Sequence, residues 1–481
     1  MTNLKKDMIH GVFWSAVEKY SVFFVNLIVS MVLARLITPE EFGVVATATV
    51  IILFLSIFST MGIGPAIIQR KDLNQDDYNS IFTFSVLIGL ILSVIFFSLS
   101  WSIADFYNTP LLAPICQLLS INVFFSTLNM VPAALMAKNK RFKEMARFTL
   151  IIQIIVGSFA VFAAYCKMGV FALLISPIIT SISIFFVNTH FYKVKIRVPI
   201  DSSSIKKIFS FSFFQFAFDF VNYFSRNLDK LIIGKFISSE ALGYYDKSYR
   251  LMQMPAGQLT GVINPVLQPV MSTLQNDKQE MALKYNKIIK FIASISIPLS
   301  IYLFFIGPEL IIIFFGTNWK PAIPSFQFLA ISLASQMILS TSGGIWQSCN
   351  ATNYLFGVGL TNTIITITGF FLASFFIGSI ESIALSWTIT AFINFLTTYI
   401  IMYKKVLKSS IWLMLKGLKL PMINGSAILF ILFVLDQYLI GVSTLISFSI
   451  KTSASLLTTL LFFIVTKQFN INWIKKGVVQ K

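Results

Sequence analysis

The sequence predicts an all-α polytopic membrane protein. Of its 481 residues, 56% are hydrophobic and only 12% are charged, whereas about a quarter of the residues in soluble domains are charged. The apolar segments are long and continuous, which excludes the alternation of polar and apolar residues typical of a membrane β-barrel. In such a chain the formal charge of +18 indicates basic loops at the cytoplasmic surface rather than binding to nucleic acid.

Fourteen segments are long and apolar enough to span a bilayer, which takes about 20 residues of helix. They are 11–36, 41–67, 79–104, 111–136, 146–166, 169–192, 206–236, 241–272, 288–315, 322–349, 353–377, 381–403, 418–436 and 442–466. The thirteenth segment is the least regular, because Lys416, Lys419 and Pro421 lie in or beside it. No cleavable signal peptide is expected, since the polar stretch Met1–His10 leads directly into a full-length helix.

The basic residues are distributed unequally between the two sides of the predicted bundle. With the N-terminus in the cytoplasm, only Lys167 and Lys320 fall in outer loops, and every other Lys or Arg outside the helices falls in a cytoplasmic segment. Cytoplasmic loops of membrane proteins carry an excess of Lys and Arg. We therefore predict that both termini are cytoplasmic. The outer loops are too short to form an extracellular domain.

A weak internal repeat divides the chain into two halves. Arg35–Gly43 aligns with Lys235–Gly243 at an offset of 200 residues, and Pro114, Gln117 and Leu119 align with Pro324, Gln327 and Leu329 at an offset of 210. Six helices per half give parallel repeats, and transporters of this kind bind substrate at the interface between the halves. The predicted domains are an N-lobe of helices 1–6 (1–192), a cytoplasmic linker (193–205), a C-lobe of helices 7–12 (206–405), and C-terminal helices 13–14 with a cytoplasmic tail (406–481).

The stretch Phe211–Arg250 carries more charge than a lipid-facing helix tolerates. Ionisable residues inside membrane segments are costly, and they usually face a bundle interior or a water-filled cavity. Polar residues at helical spacing share one face of its first helix, namely Gln215, Asp219, Asn222, Arg226 and Asp229. This stripe predicts a polar cavity lined by the first helix of the second half.

Two explanations account for these charges. One is neutralisation along the helix through Arg226 with Asp229 and Asp246 with Arg250, at i,i+3 and i,i+4 spacing. The other is a cationic cavity that receives an anionic ligand, which also accounts for Lys230 and Lys247. We favour the cavity, and the neutralisation of the carboxylates by neighbouring cations remains the alternative.

Several short motifs follow one another in a characteristic order. They are Gly11–Ala16, Ala34–Gly43, Gly62–Lys71, Ala104–Tyr107, Asp229–Phe236, Ala241–Tyr245 and Gly316–Ala322. Over about residues 10–405 the chain resembles polysaccharide flippases of the Wzx/RfbX type. These belong to the polysaccharide transporter family of the multidrug/oligosaccharidyl-lipid/polysaccharide (MOP) exporter superfamily. The resemblance implies two pseudo-symmetric six-helix lobes, as in MATE exporters and lipid flippases, plus two C-terminal helices.

The resemblance also implies a function. Such proteins are flippases that move undecaprenyl-pyrophosphate-linked oligosaccharide repeat units from the cytoplasmic to the periplasmic leaflet, by alternating access around a cationic central cavity. The units serve the biosynthesis of O-antigen, lipopolysaccharide and other surface polysaccharides. The expected location is the bacterial inner (plasma) membrane. Neither enzymatic activity, a cofactor nor a metal site is expected. The implied partners are the lipid-linked oligosaccharide, membrane lipid, a proton or sodium as coupling ion, and the polysaccharide polymerase and chain-length machinery.

The charged residues supply candidates for each role. Lys and Arg stabilise phosphate groups through charge-assisted hydrogen bonds. The substrate-binding candidates are Lys19, Arg226, Lys230, Lys247 and Arg250, together with Arg35 and Lys235, which could instead extend to the outer interface. The ion-coupling candidates are Glu18, Asp219, Asp229 and Asp246. Aromatic and amide candidates for glycan contact are Tyr223, Tyr244, Tyr245, Tyr249, Gln253 and Asn264.

Three other functions compete with a flippase. An ion-coupled multidrug exporter of the same superfamily would need an acidic, aromatic cavity for cationic compounds, and the excess of basic residues opposes it. A membrane polysaccharide polymerase or glycosyltransferase would need catalytic residues on a sizeable loop, and the outer loops are too short for that. A membrane scaffold would not need buried charge.

Overall fold

The computed structural model describes residues 2–60, 63–70, 72–199, 201, 205, 216, 220, 223–224 and 226–466. Over these ranges the regular structure is helical and contains no strand. Backbone contacts divide the chain into two compact units, Met1–Gly243 and Tyr244–Lys481. The predicted all-α fold is confirmed.

The helices follow the order of the predicted segments. In the first unit they are Thr2–Leu36, Pro39–Thr60, Ile63–Gln69, Gln75–Phe106, Leu112–Leu128, Met130–Lys138, Phe142–Tyr165 and Val170–Phe191, and residues 226–236 are also helical. Ser239–Ser272 begins in the first unit and continues into the second. The second unit continues with Lys278–Phe315, Ala322–Leu339, Ser342–Ser348, Thr352–Phe376, Ile380–Ile401, Ile411–Tyr438 and Thr444–Thr466. Short turns of 3-10 helix at Thr317–Trp319 and of π-helix at Met402–Val406 complete it.

Twelve helices among the described residues are long and apolar enough to cross a membrane. They correspond to the predicted segments other than the seventh and the eighth. Most of segment 206–236 lies outside the described residues. Segment 241–272 is covered by the continuous helix Ser239–Ser272, whose polar residues exclude it from these twelve. The count of fourteen spans therefore stays a prediction.

Helix starts are encoded by local side chains. Asn74 and Asp77 form a capping box at the start of Gln75–Phe106, in which each side chain binds the backbone N–H of the other residue. Ser379 and Ser382 do the same at the start of Ile380–Ile401. These bonds satisfy backbone donors that have no partner within the helix. Such starts can be recognised from sequence.

The two halves of the predicted repeat form their helices in the same order. In each half a long helix is followed by a broken one, Leu112–Leu128 with Met130–Lys138 in the first and Ala322–Leu339 with Ser342–Ser348 in the second. The aligned glutamines play the same part. Gln117 donates to Ser100 Oγ at 3.2 Å and Gln327 to the Phe304 carbonyl at 3.1 Å, and both acceptors lie on the preceding long helix.

The first residues of the predicted linker lie along a helix of the first unit. The backbone N–H of Lys195 donates to Asn79 Oδ1 at 2.9 Å, and that of Arg197 donates to Thr83 Oγ1 at 2.8 Å. The acceptors belong to the helix Gln75–Phe106, so residues 193–197 run along its first turns. The chain passes from the first compact unit to the second after Gly243, whereas the predicted boundary between the lobes is this linker. The lobe boundaries stay a prediction, because much of 206–225 is not described.

Two aligned glycines of the repeat meet in the first unit. A Cβ atom at Gly43 would lie 1.6 Å from the Ser239 carbonyl oxygen, and one at Gly243 would lie 2.0 Å from the Pro39 carbonyl oxygen. The contact is reciprocal, since Pro39 and Ser239 are also aligned at the offset of 200 residues. Only glycine permits backbones to approach so closely. The repeat detected in the sequence thus corresponds to a physical contact.

The C-terminal helices pack against the long helix Lys278–Phe315. Gly417 and Gly425 of the helix Ile411–Tyr438 face this long helix, because Cβ atoms there would lie 2.7 Å from Asn286 Oδ1 and from Ile297 Cγ2 respectively. Small residues at such positions let membrane helices approach closely. Ile411–Tyr438 is continuous through Pro421, so the irregular thirteenth segment is a single helix.

Candidate substrate site

The candidate residues of the first helix differ in exposure. Lys19 and Arg35 are exposed, and Arg35 lies in the last turn of Thr2–Leu36. Glu18 is half-buried and interacts with the hydroxyl of Thr149 on the neighbouring helix Phe142–Tyr165. Lys19 and Glu18 point to different surroundings although they are adjacent, because successive residues of a helix face about 100° apart.

Two candidate residues of the stretch 226–236 are buried. Asp229 is fully buried and Lys230 nearly so, whereas Arg226 is exposed. The backbone N–H of Lys230 donates to Asp229 Oδ1 at 2.8 Å. Tyr223 is also buried, and its hydroxyl donates to the Val50 carbonyl at 3.0 Å. An acid and a base therefore lie side by side in an apolar interior, where charge is costly unless it is compensated.

Lys235 contacts the end of another helix. Its ammonium lies 4.3 Å from the centre of the Phe106 ring and donates a hydrogen bond to the Phe106 carbonyl. Phe106 is the last residue of Gln75–Phe106, where a cation is favoured by the helix dipole. This contact favours a structural role for Lys235, in which it joins two helices. Its part in substrate binding remains a prediction.

The second unit holds three candidate residues on one helix. Arg250 Nε lies 2.6 Å from Asp246 Oδ2, so this i,i+4 pair is formed as the neutralisation alternative requires. Asp246 is buried and Arg250 is exposed. Lys247 is buried and its ammonium lies 5.5 Å from the centre of the Phe315 ring, a cation–π contact.

A row of aromatic and amide side chains continues along the same helix, Ser239–Ser272. Tyr249 packs edge-on against Trp387, with ring centres 5.5 Å apart. Gln253 Nε2 donates to Gln336 Oε1 at 2.8 Å and to the Tyr249 hydroxyl at 3.3 Å. Asn264 Oδ1 is buried and has no hydrogen-bond partner among the described residues. The sequence predicted Tyr249, Gln253 and Asn264 as candidates for glycan contact. It did not predict that Gln336 contacts Gln253 and that Trp387 contacts Tyr249.

The predicted site residues fall in both compact units. Asp229 and Lys230 lie in the first, Asp246 and Lys247 lie in the second, and Asp219 lies outside the described residues. Within each unit an acid and a base are adjacent in the chain and are both buried. A common cavity that these residues line together stays a prediction.

A further buried charged cluster was not predicted. Lys451 lies within the predicted segment 442–466, and the sequence alone assigns no role to it, to Glu309 or to Asp436. Lys451 Nζ lies 2.6 Å from a carboxylate oxygen of each of them. The signal that singled out Asp229, charge within an apolar segment, applies equally to Lys451 and Glu309. Their pairing could not be found from spacing, because the two residues lie 142 positions apart.

The family of the chain is established by its sequence. Residues 32–324 match the family model described as polysaccharide biosynthesis protein, which is more than half of the chain. The chain belongs to this family. Membership agrees with the resemblance to polysaccharide flippases that the motifs indicated.

Two relatives cover nearly the whole length of the chain. A membrane protein encoded in the cps region of Klebsiella pneumoniae, itself uncharacterised, is 23% identical over 92% of this chain and 91% of its own length. The lipopolysaccharide biosynthesis protein WzxC of Escherichia coli K12 is 23% identical over 87% of this chain and 85% of its own. The chain is therefore comparable in length to both relatives.

Solved structures show the same fold. The lipid II flippase MurJ in an inward closed conformation matches with a TM-score of 0.75 and 16% identity, over 95% of this chain and 98% of its own. An inward-facing MATE multidrug transporter of the MOP superfamily matches with a TM-score of 0.62 and 13% identity, over 80% and 95%. The fold of lipid flippases and MATE transporters is confirmed. Because this fold serves both lipids and drugs, it does not choose between them.

Proposed function

We propose that this protein is a flippase for lipid-linked oligosaccharides in surface polysaccharide biosynthesis. Membership of the polysaccharide biosynthesis family carries the proposal, together with the name of the relative WzxC. Buried cations in membrane-length helices support it, because the proposed substrate carries a pyrophosphate. Lys230 and Lys247 are both buried, and in a low dielectric an ammonium binds phosphate oxygen strongly.

The proposed substrate is an undecaprenyl-pyrophosphate oligosaccharide, and the proposed direction is from the cytoplasmic to the periplasmic leaflet of a bacterial inner membrane. Both termini are cytoplasmic in this proposal. Lys230 and Lys247 bind the pyrophosphate, and Tyr249 and Gln253 contact the glycan. Glu18, Asp219, Asp229 and Asp246 remain candidates for coupling a proton or sodium ion, and a polymerase would receive the product.

Reconstitution tests this function directly. Purified protein in proteoliposomes is given undecaprenyl-pyrophosphate oligosaccharide in one leaflet, and its appearance in the other is followed with and without an imposed proton or sodium gradient. Translocation is expected in the intact protein. In Lys230→Gln and Lys247→Gln, loss of a charge-assisted bond costs about 1.5–3 kcal/mol, so the rate at limiting substrate should fall about tenfold or more.

A matched control separates substrate binding from a general effect of removing charge. Lys416 is an exposed lysine on the helix Ile411–Tyr438, and Lys416→Gln should translocate at the rate of the unmodified protein. Unchanged translocation in both buried-lysine variants would contradict the assigned site. An intact protein that exports a cationic dye and moves no lipid-linked oligosaccharide would favour the multidrug exporter instead.

A further inference from the structure

Three charged side chains from three helices meet inside the second unit. Lys451, on Thr444–Thr466, lies 2.6 Å from Glu309 Oε1 on Lys278–Phe315 and 2.6 Å from Asp436 Oδ1 on Ile411–Tyr438. The side chains of Lys451 and Glu309 are 3% and 8% exposed, whereas that of Asp436 is 55% exposed. The cluster therefore extends from a buried carboxylate, through a buried ammonium, to a carboxylate at the surface. We call these three residues the C-terminal triad.

Pro308 lies inside the helix Lys278–Phe315, next to Glu309. Proline has no N–H, so the helix cannot complete its hydrogen bond to the carbonyl four residues earlier. That carbonyl, of Phe304, receives Gln327 Nε2 at 3.1 Å instead. The next carbonyl, of Phe305, receives Lys451 Nζ at 3.2 Å. The ammonium is thus held by a backbone carbonyl as well as by the two carboxylates.

One oxygen of the buried carboxylate is not satisfied. Glu309 Oε1 accepts from Lys451 and from Ser447 Oγ, each at 2.6 Å. Glu309 Oε2 is buried and has no hydrogen-bond partner among the described residues. An ionised carboxylate with such an oxygen is unfavourable in an apolar interior. The cluster is therefore incomplete on the side of Glu309 Oε2.

The charges of the triad do not balance. Two carboxylates and one ammonium carry a net charge of −1 when all are ionised. Tyr302, on the same helix as Glu309, interacts with it and holds its hydroxyl 2.8 Å from Thr452 Oγ1. A phenol supplies no positive charge at neutral pH. The helix Ala322–Leu339, which also packs against Lys278–Phe315, contains no titratable residue. One positive charge is thus needed to neutralise the triad.

We propose that the C-terminal triad is a proton-binding site, with the proton carried by Asp436. A hydronium ion of the aqueous phase gives its proton to the half-exposed carboxylate of Asp436, where an O–H bond forms and a water molecule is left, and Lys451 remains paired with Glu309. A proton on Asp436 removes one of the two charged partners of Lys451, so it weakens the attachment of Thr444–Thr466 to Ile411–Tyr438. A proton fits better than a metal cation, since the ammonium already occupies the space between the carboxylates.

Proton binding by the triad stands independently of transport, but the use of that proton to drive translocation rests on the proposed function. If the C-terminal helices change their packing during the cycle, protonation of Asp436 biases that change because it alters the contacts of Lys451. The structure thereby assigns a coupling residue, Asp436, that lies far along the chain from the candidates of the stretch 211–250.

Infrared difference spectroscopy of the purified protein tests the binding step without substrate. A protonated carboxyl group gives a C=O band separate from that of a carboxylate, and it should titrate with pH in the intact protein. Asp436→Asn and Glu309→Gln should each remove or shift this band. Glu280 provides a matched control, because it is also half-exposed and paired with a lysine, Lys284, at 2.8 Å. Glu280→Gln should leave the band in place.

Proteoliposomes test the coupling step. We expect the stimulation of Asp436→Asn by an imposed proton gradient to fall to onefold, measured against the rate of the same variant without a gradient. An infrared band unchanged in both triad variants would overturn the proton site. Stimulation of the intact protein by sodium alone, or undiminished proton stimulation in Asp436→Asn, would overturn the coupling. If the intact protein moves no lipid-linked oligosaccharide, the proposed function fails, and the infrared result still decides whether the triad binds a proton.

Discussion

Alanine at Gly43 should disrupt the contact between the two aligned glycines. The added Cβ would lie 1.6 Å from the Ser239 carbonyl oxygen, and the equivalent atom at Gly243 would lie 2.0 Å from the Pro39 carbonyl oxygen. Atoms of the two backbones normally stay about 3.5 Å apart, so the helices would have to separate by about 2 Å. Both obstructing atoms belong to the backbone. No change of side-chain rotamer can therefore relieve the clash.

Two opposing effects determine how much Gly43→Ala changes the free energy of unfolding. Overpacking of a close contact costs about 1–3 kcal/mol and occasionally more. Alanine in place of glycine within a helix returns about 1 kcal/mol, because the unfolded chain loses less freedom. Because the obstructing atoms belong to the backbone, the cost should lie at the top of that range, and a net loss of about 2 kcal/mol is expected for Gly43→Ala. If only some conformations of the transport cycle contain the contact, the same energy reduces their population by about tenfold or more.

Thermal unfolding of the purified variants measures the loss of stability. Surface polysaccharide output of a complemented deletion strain measures the change in the population of transport conformations. Gly359→Ala is the control, since a Cβ at Gly359 meets no atom within 4 Å, and it should be neutral or slightly stabilising. Gly43→Ala and Gly243→Ala together should cost less than the sum of the two, because the first substitution already separates the helices. Wild-type melting and wild-type output for Gly43→Ala would refute this account of the contact.

Three further predictions concern other parts of the structure. Lys138→Met should lower stability by about 1–2 kcal/mol in thermal unfolding, because the ammonium donates to two backbone carbonyls and a phenol. Tyr399→Phe should cost about 1–3 kcal/mol in the same assay, since its buried hydroxyl donates to a carbonyl at 2.8 Å and contacts a second tyrosine hydroxyl at 2.8 Å. In a background without the native cysteines, Lys167→Cys should react in intact cells with a membrane-impermeant thiol reagent and Lys193→Cys should not; the reverse pattern would contradict the predicted orientation.

Much of the fold could be predicted because it depends on local or periodic features of the sequence. Apolar length located all twelve spans that the described residues contain. The offset of 200 residues aligned Gly43 with Gly243 before their contact was known. The i,i+4 spacing identified the pair of Asp246 with Arg250. Each of these depends on distances along one helix or on a repeat, and a single sequence contains both.

Contacts between distant helices could not be predicted in this way. Gln253 binds Gln336 from 83 positions away, and Lys451 binds Glu309 from 142 positions away. Spacing predicts partners only within a helix, so the charge pairs that it predicts all lie in the stretch 211–250. Sequence also left open whether the eighth predicted segment, 241–272, spans the membrane. Its helix formed as expected, but the polar residues that suggested a binding role also make its composition unlike that of a lipid-facing helix.

The C-terminal helices lie outside the predicted repeat, so their attachment needs a separate explanation. Close packing alone would be enough to attach them, because Gly417 and Gly425 let Ile411–Tyr438 approach the helix Lys278–Phe315 closely. The triad adds charge where apolar side chains would serve stability as well or better, because replacing a buried ion pair by well-packed apolar residues is often neutral or stabilising by about 1–4 kcal/mol. A contact made of charge is sensitive to protonation, and a contact made of methyl groups is not. The presence of Lys451 between two carboxylates is therefore better explained by an attachment that changes with proton binding than by a permanent one.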